Sequence, residues 1–238
     1  DKKIRILIVA DGMGGLEKGD MASQTAVRSF LKAFYEKAVN LYIDSDMEGF
    51  SLSFFADRAE KVIKEAIQRA NEDVCSIGDR LNPVGTTLSV VCIIDRFAIA
   101  ANVGDSPIYF YKSKMKSFKM ISVLQTQAEL DVEAGLYKRY SREYYAKEHI
   151  IYNSLGQFSK LKDKDICCCK IGNLENGDKF LLGSDGAFGR MKEYEIMELL
   201  EECVEDDEGY HDIEVFYCPF CGKKLDWKNI KENYLKEE

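Results

Sequence analysis

No apolar run in this sequence approaches the roughly 18 to 20 residues that a membrane-spanning helix needs, so no membrane partner is expected. The run "IRILIVA", residues 4–10, has the length of a strand, with neither the length nor the cleavage site of a signal peptide. Positive charge is lacking as well. The 33 Lys and Arg are outweighed by 41 Asp and Glu, and a net charge of −8 gives a nucleic-acid partner no electrostatic support. Basic residues cluster only locally, in "YKSKMKSFK" and "YKRYSR", which read as solvated loop surface or as an anion-attracting rim. There is no internal repeat and no low-complexity linker. The glycine-rich "GMGG" lacks both the G-x-G-x-x-G spacing and the lysine of a P-loop, which counts against a nucleotide cradle. The eight cysteines lack the even spacing of a secreted disulfide scaffold, and three of them are consecutive (Cys167, Cys168, Cys169). A reducing cytosol is the simpler inference. Cys75 and Cys92, in helical and strand patterns, read as small buried hydrophobes.

What is present is ordinary globular composition, 46% hydrophobic and 31% charged, over a length that allows one large core with a small appendage. After the first strand, "GDMASQTAVRSFLKAFYEKAV" sets Ala22, Ala26, Phe30 and Phe34 along one helical face. "SFFADRAEKVIKEAIQRANEDV" does the same with Phe55, Ala59, Val62, Ile63, Ala66 and Ala70. The period then turns extended: "GTTLSVVCII", "FAIAANVGD" and "PIYFYK" predict a meander of antiparallel strands. Residues 122–165 read as an insertion over one end of the sheet, with a helix around "QAELDVEAG". "ENGDKFLLGSDGAF" restores a turn and a strand, and "KEYEIMELLEECVE" a helix. Helices arriving together and strands arriving together predict α+β layers instead of alternating βαβ units.

Three predicted strand ends carry an aspartate beside glycine: Asp11 in "ADGMGG", Asp105 in "VGDS" and Asp185 in "GSDGAF". Asp-Gly is also a common turn dipeptide, so a single instance is a weak signal. Three in this setting point to ligands for hard divalent cations, which prefer oxygen, keep several waters and are held by few carboxylates. Two such ions lower the pKa of a bound water and stabilise both oxygens of a phosphoryl displacement.

Taken in order, "VADGMGG", "GDMAS", "GTTLSVV", "ANVGDSPIY" and "LLGSDGAF" with the acidic helix after it resemble the metal-dependent protein phosphatases of type 2C, in a bacterial style, from about Ile4 to Leu200. The resemblance implies an αββα sandwich, two antiparallel β-sheets flanked by helix pairs. It also implies a centre of two Mn²⁺ or Mg²⁺ ions that hydrolyses phosphoserine and phosphothreonine with no covalent phosphoenzyme. Carried over, Asp11 would bridge the ions, the Gly12 carbonyl would bind one and Asp185 the other, and Asp105 would help form a third metal site. Where some relatives place a histidine after "DG", this chain has Met13. "GDS" is followed by Pro107 in place of arginine, which reads as a local change at a strand start. The family's last strand opens with a further ligand, for which Asp212 in "YHDIEVFY" is the match.

The family normally begins with an earlier strand bearing a phosphate-gripping arginine and an acidic ligand, and no such stretch precedes Asp11. The expectation is a strand missing from view and a working phosphatase. The alternative is a pseudophosphatase, a binding or regulatory module that keeps the fold. Phosphoproteins, including those of a cognate Ser/Thr kinase, would be the substrates, and the catalytic domain would span residues 1–215. In the tail, 216–238, Cys218 and Cys221 of "CPFCGKK" have the form of a zinc knuckle that Cys203 and His211 would complete; unligated thiols are the competing reading.

Overall fold

The computed structural model describes residues 4–13, 16–44, 52–78, 84–188 and 194–197. The chain divides into two compact units, Asp1–Leu182 and Gly183–Glu238. The first opens with β1 (Ile4–Val9), β2 (Gly12–Met13) and two long helices, α1 (Leu16–Asp44) and α2 (Leu52–Cys75). A run of strands follows: β3 (Gly85–Thr86), β4 (Leu88–Ile94), β5 (Phe97–Val103), β6 (Ile108–Lys112) and β7 (Ser117–Met120). Two short helices, α3 (Gln127–Glu133) and α4 (Arg142–Tyr145), precede β8 (Cys167–Ile171) and β9 (Lys179–Leu182). In the second unit, α5 (Asp185–Phe188) is followed by a helical stretch at 194–197, within the helix expected from the sequence.

The strands form a four-stranded sheet in the order β1-β4-β5-β8, a three-stranded sheet β7-β6-β9 and the small pair β2-β3. Every pairing is antiparallel. Strand alternation assigns the two faces of the larger sheet. Val90, Cys92, Ile94, Ile99, Ala101 and Val103 pack with α1 and α2, whereas Val91, Ala98 and Ala100 join Ile108, Phe180 and Leu182 in a second cluster shared with the smaller sheet. The described layers are therefore helix pair, sheet, sheet, an α+β arrangement of antiparallel sheets and helices.

Both helical stripes read from the sequence are buried. Ala22, Ala26, Phe30 and Phe34 of α1 are wholly inaccessible, and Phe30 stacks on Phe34 with ring centroids 5.8 Å apart. Each such Phe contributes about 1.5–3 kcal/mol by leaving water, while the alanines let the helices approach closely. In α2, Phe55, Ala59, Ile63, Ala66 and Ala70 are buried, joined by Ile67 and Val74; Val62 is only partly covered.

Two expectations need revision. β5 and β6 do not continue one meander: the "GDSP" turn carries the chain from the larger sheet to the smaller one. Gly104 has φ +98, open to glycine at no steric cost, and Pro107, which lacks an N–H, stands just before β6. Residues 122–165 do more than cover the sheet end, because they carry α3 and α4 and a buried polar interior. Glu129 accepts a hydrogen bond from the Tyr144 hydroxyl at 2.6 Å and pairs with Arg139, and Asp131 pairs with Lys147 at 2.6 Å. Among the described residues no helix is long and apolar enough to cross a membrane.

Candidate metal centre

The register of the larger sheet sets two of the three aspartates at one end. β1 finishes with Val9 opposite Ser89, and β5 finishes with Val103 opposite Leu88. Asp11 and Asp105 each follow two residues after those strand ends, on the same edge. Thr86 and Thr87, just before β4, stand between them and tie both turns down.

Thr87 is the knot. Its hydroxyl oxygen accepts from the Asp11 N–H at 2.9 Å and lies 2.7 Å from the Ser106 hydroxyl. Its own N–H donates to the Asp11 carbonyl at 2.9 Å, and the Thr86 hydroxyl donates to that carbonyl at 3.0 Å. Ser89 donates to the Ser106 carbonyl at 2.6 Å. Thr86, Thr87, Ser89 and Ser106 are all buried. Hydrogen bonds in a low-dielectric interior are strong and expensive to break, so both turns are fixed with the Asp11 main chain fully committed.

The glycines beside these aspartates are needed for close approach. A Cβ on Gly12 would stand 1.9 Å from the Gly19 carbonyl oxygen, where the start of α1 passes. A Cβ on Gly104 would meet the Thr87 methyl at 2.7 Å. The segment after β7 closes the same end. The Gln125 side-chain oxygen accepts from the Gly104 N–H at 2.7 Å, its backbone N–H donates to the Gly104 carbonyl at 3.1 Å, and its amide donates to the Asp165 carbonyl at 2.9 Å. The Asn153 amide donates to Gln125 at 2.8 Å. Leu155 exchanges backbone hydrogen bonds with Thr86 at 3.0 and 3.1 Å.

Asp185 opens α5 in the second unit, where its carboxylate accepts from the Gly186 N–H at 2.7 Å. Asp212, Cys203, His211, Cys218 and Cys221 lie outside the described residues. Among the described residues, no three His, Cys, Asp or Glu side chains gather as a metal-holding group. The consecutive cysteines form β8, where Cys168 packs with the helix-side core and Cys169 with the inter-sheet cluster. Burial pushes the Cys168 thiol up to about 12, so it holds its proton at neutral pH.

The donors that the two described turns offer are oxygen: the half-buried Asp11 carboxylate, the buried Asp105 carboxylate and the backbone carbonyl of Gly12. That chemistry fits a hard divalent ion, which takes one or two carboxylates and keeps several waters, and it fits no soft metal. Sequence reading found the aspartates but missed Thr86, Thr87, Ser106, Gln125 and Asn153. A Thr-Thr pair before a strand has ordinary β-propensity and carries no local signal of a tertiary role.

A sequence profile described as Protein phosphatase 2C matches residues 1–211. Protein phosphatase PhpP of Streptococcus pneumoniae serotype 2 is 32% identical over 197 residues, covering 82% of this chain and 72% of that protein. The fold is similar to that of serine/threonine phosphatase Stp1 from Staphylococcus aureus, with a TM-score of 0.64 at 22% identity over 86% of this chain and 74% of the other. It is similar also to the catalytic domain of the serine threonine protein phosphatase PstP in complex with two manganese ions, with a TM-score of 0.59 at 22% identity, over 84% and 77%.

Proposed function

The chain belongs to the protein phosphatase 2C family, and from that premise we propose that it hydrolyses phosphoserine and phosphothreonine in proteins with the help of Mn²⁺ or Mg²⁺. The observation that carries this reading is the joint anchoring of the Asp11 and Asp105 turns on buried Thr87 at one edge of the sheet. We assign Asp11, the Gly12 carbonyl and Asp185 to two ions, and Asp105 to a third. Asp212 is the proposed further ligand. When bound, the ions supply a water acidic enough to attack phosphorus at neutral pH and neutralise charge on the phosphoryl oxygens.

The protein's share is positioning. Thr86 and Thr87 hold the Asp11 main chain with three hydrogen bonds, so its carboxylate is presented from a fixed backbone. Gln125 does the same for Gly104, the residue before Asp105. Ordering these groups in advance removes an entropic cost that the reaction would otherwise bear. Met13 has no proton to give, so the leaving oxygen takes its proton from water or another group.

For the rest, we assign phosphoproteins, including those of a cognate kinase, as substrates, and the reducing cytosol as the setting on the strength of the cysteine pattern. A structural zinc at Cys218 and Cys221, completed by Cys203 and His211, is proposed from the knuckle spacing alone. The test is hydrolysis of p-nitrophenyl phosphate and a phosphothreonine peptide with Mn²⁺, with EDTA and with Asp185→Asn. Turnover that needs Mn²⁺ and disappears in the variant is expected. A folded protein that turns over neither substrate in Mn²⁺ would overturn the reading.

A further inference from the structure

A cavity of about 450 Å³ lies between α2 and residues 160–166, on elements other than the turns that carry Asp11 and Asp105. Its volume falls within the roughly 300–1,000 Å³ typical of small-ligand pockets. Leu161 and Ile166 line it with buried apolar surface. The remaining walls are charged, and the two signs are treated differently.

Every carboxylate lining the cavity already has an ammonium partner. Asp57 pairs with Lys170 at 2.6 Å, Glu60 with Lys64 at 2.8 Å and with Lys170 at 2.7 Å, and Asp163 with Lys64 at 2.8 Å. Glu65 pairs with Lys37. Lys64 is thereby held firmly in its charged form: burial works to lower its pKa, but the hydrogen bonds it donates to Asp163 and Glu60 raise it overall.

The ammonium groups of Lys61, Lys160 and Lys162 have no carboxylate partner among the described residues, although all three line the cavity. The lining itself carries four lysines (61, 64, 160 and 162) against four carboxylates, but Lys37 and Lys170, which stand outside it, pair with those carboxylates, so that Lys61, Lys160 and Lys162 face the cavity without a carboxylate of their own. Three mutually repelling cations around a concave surface lower their energy by taking up an anion. Lysine offers a compact charge with three rotatable donors, which suits a tetrahedral dianion approached from several sides.

We propose that this cavity binds a phosphate-bearing anion through the ammonium groups of Lys61, Lys160 and Lys162. The phosphate comes either as the free ion or on a phosphorylated peptide segment. The site is separate from the catalytic assignment and stands or falls independently of it.

The test is amide NMR of the full chain in Mg²⁺, titrated with inorganic phosphate and, in a second arm, with a phosphopeptide whose phosphothreonine is replaced by its non-hydrolysable phosphonate, beside the unphosphorylated form. Shifts at the amides of residues 61–64 and 160–163 are expected. They should weaken by roughly tenfold in apparent affinity in the double variant Lys160→Ala, Lys162→Ala, as two exposed charge-assisted contacts are lost. Turnover of p-nitrophenyl phosphate by that variant should equal the unaltered chain's. Shifts with both probes identify the free anion as sufficient, and shifts with the phosphopeptide alone identify a phosphorylated segment. No shift at these amides with either probe, the same shifts from the unphosphorylated peptide, or undiminished affinity in the variant would overturn the proposal. Because the readout is local to the cavity, it is unaffected by whether the protein turns over substrate.

Discussion

Thr87→Val removes one oxygen from the knot between the two aspartate turns and preserves the side chain's shape. The Asp11 N–H and the Ser106 hydroxyl, at 2.9 and 2.7 Å from that oxygen, both lose their partner. Stranding a buried polar group costs about 1–3 kcal/mol. Ser106 is fully buried, while Asp11 is half-buried and its N–H falls at the low end of that range. The two together predict a loss of about 2–4 kcal/mol, a large part of the roughly 5–15 kcal/mol that holds a typical protein folded. Thr87→Ser is the control. It keeps the oxygen and loses only the methyl that packs at Gly104, at a cost of about 1 kcal/mol. Urea unfolding followed by circular dichroism measures both, and an unchanged dependence on urea concentration confirms that stability itself has moved. The Mn²⁺ concentration giving half-maximal turnover should rise in Thr87→Val more than in Thr87→Ser, because one of the three hydrogen bonds that hold the Asp11 main chain is gone. Stability of Thr87→Val within about 0.5 kcal/mol of the unaltered chain, the range of a neutral surface change, would refute the reasoning. Equal losses in the two variants would refute it too, since the methyl and not the hydroxyl would then matter.

Gly12→Ala should destabilise by about 3 kcal/mol or more, at or above the usual cost of overpacking, because its new methyl meets backbone at Gly19 and not a side chain that can rotate away; thermal unfolding measures it. Tyr144→Phe leaves the buried Glu129 without its 2.6 Å donor and should cost about 1–3 kcal/mol in urea unfolding. The Asp131 pKa is lowered, chiefly by its hydrogen bond from Lys147. A carboxyl lowered in the folded state contributes stability above its unfolded value of about 3.9, and that contribution fades as pH falls through the folded value. Lys147→Ala should therefore flatten the loss of stability below about pH 4, and an unchanged acid limb in pH-dependent unfolding would contradict the assignment.

Much of the first unit was legible because burial leaves a period in sequence. Alanine and phenylalanine four apart mark the inner faces of α1 and α2, and short apolar runs mark β4 and β5, whose alternate residues divide between the two faces. The change of sheet at Gly104–Pro107 was not legible. A turn's residues encode a bend but not which edge the next strand will find. The same limit hid the framework of the site. Asp11 and Asp105 announce themselves by residue type and neighbouring glycine, whereas Thr87 acts across 76 residues and Gln125 across 21. Hydrogen bonds spanning such separations are created by the fold and leave no local pattern. The cysteine run illustrates the converse: a conspicuous motif at 167–169 is a strand with alternating faces, and at its centre burial keeps the Cys168 thiol protonated.

The assignment of Asp11 to the metal ions is tested most directly by counting bound Mn²⁺ in the full chain and in Asp11→Asn by equilibrium dialysis, with circular dichroism to confirm that both are folded. The account predicts at least two ions for the unaltered chain, and for the variant a lost or strongly weakened pair, since on this assignment the Asp11 carboxylate would serve both. Equal Mn²⁺ binding by a folded Asp11→Asn would contradict it.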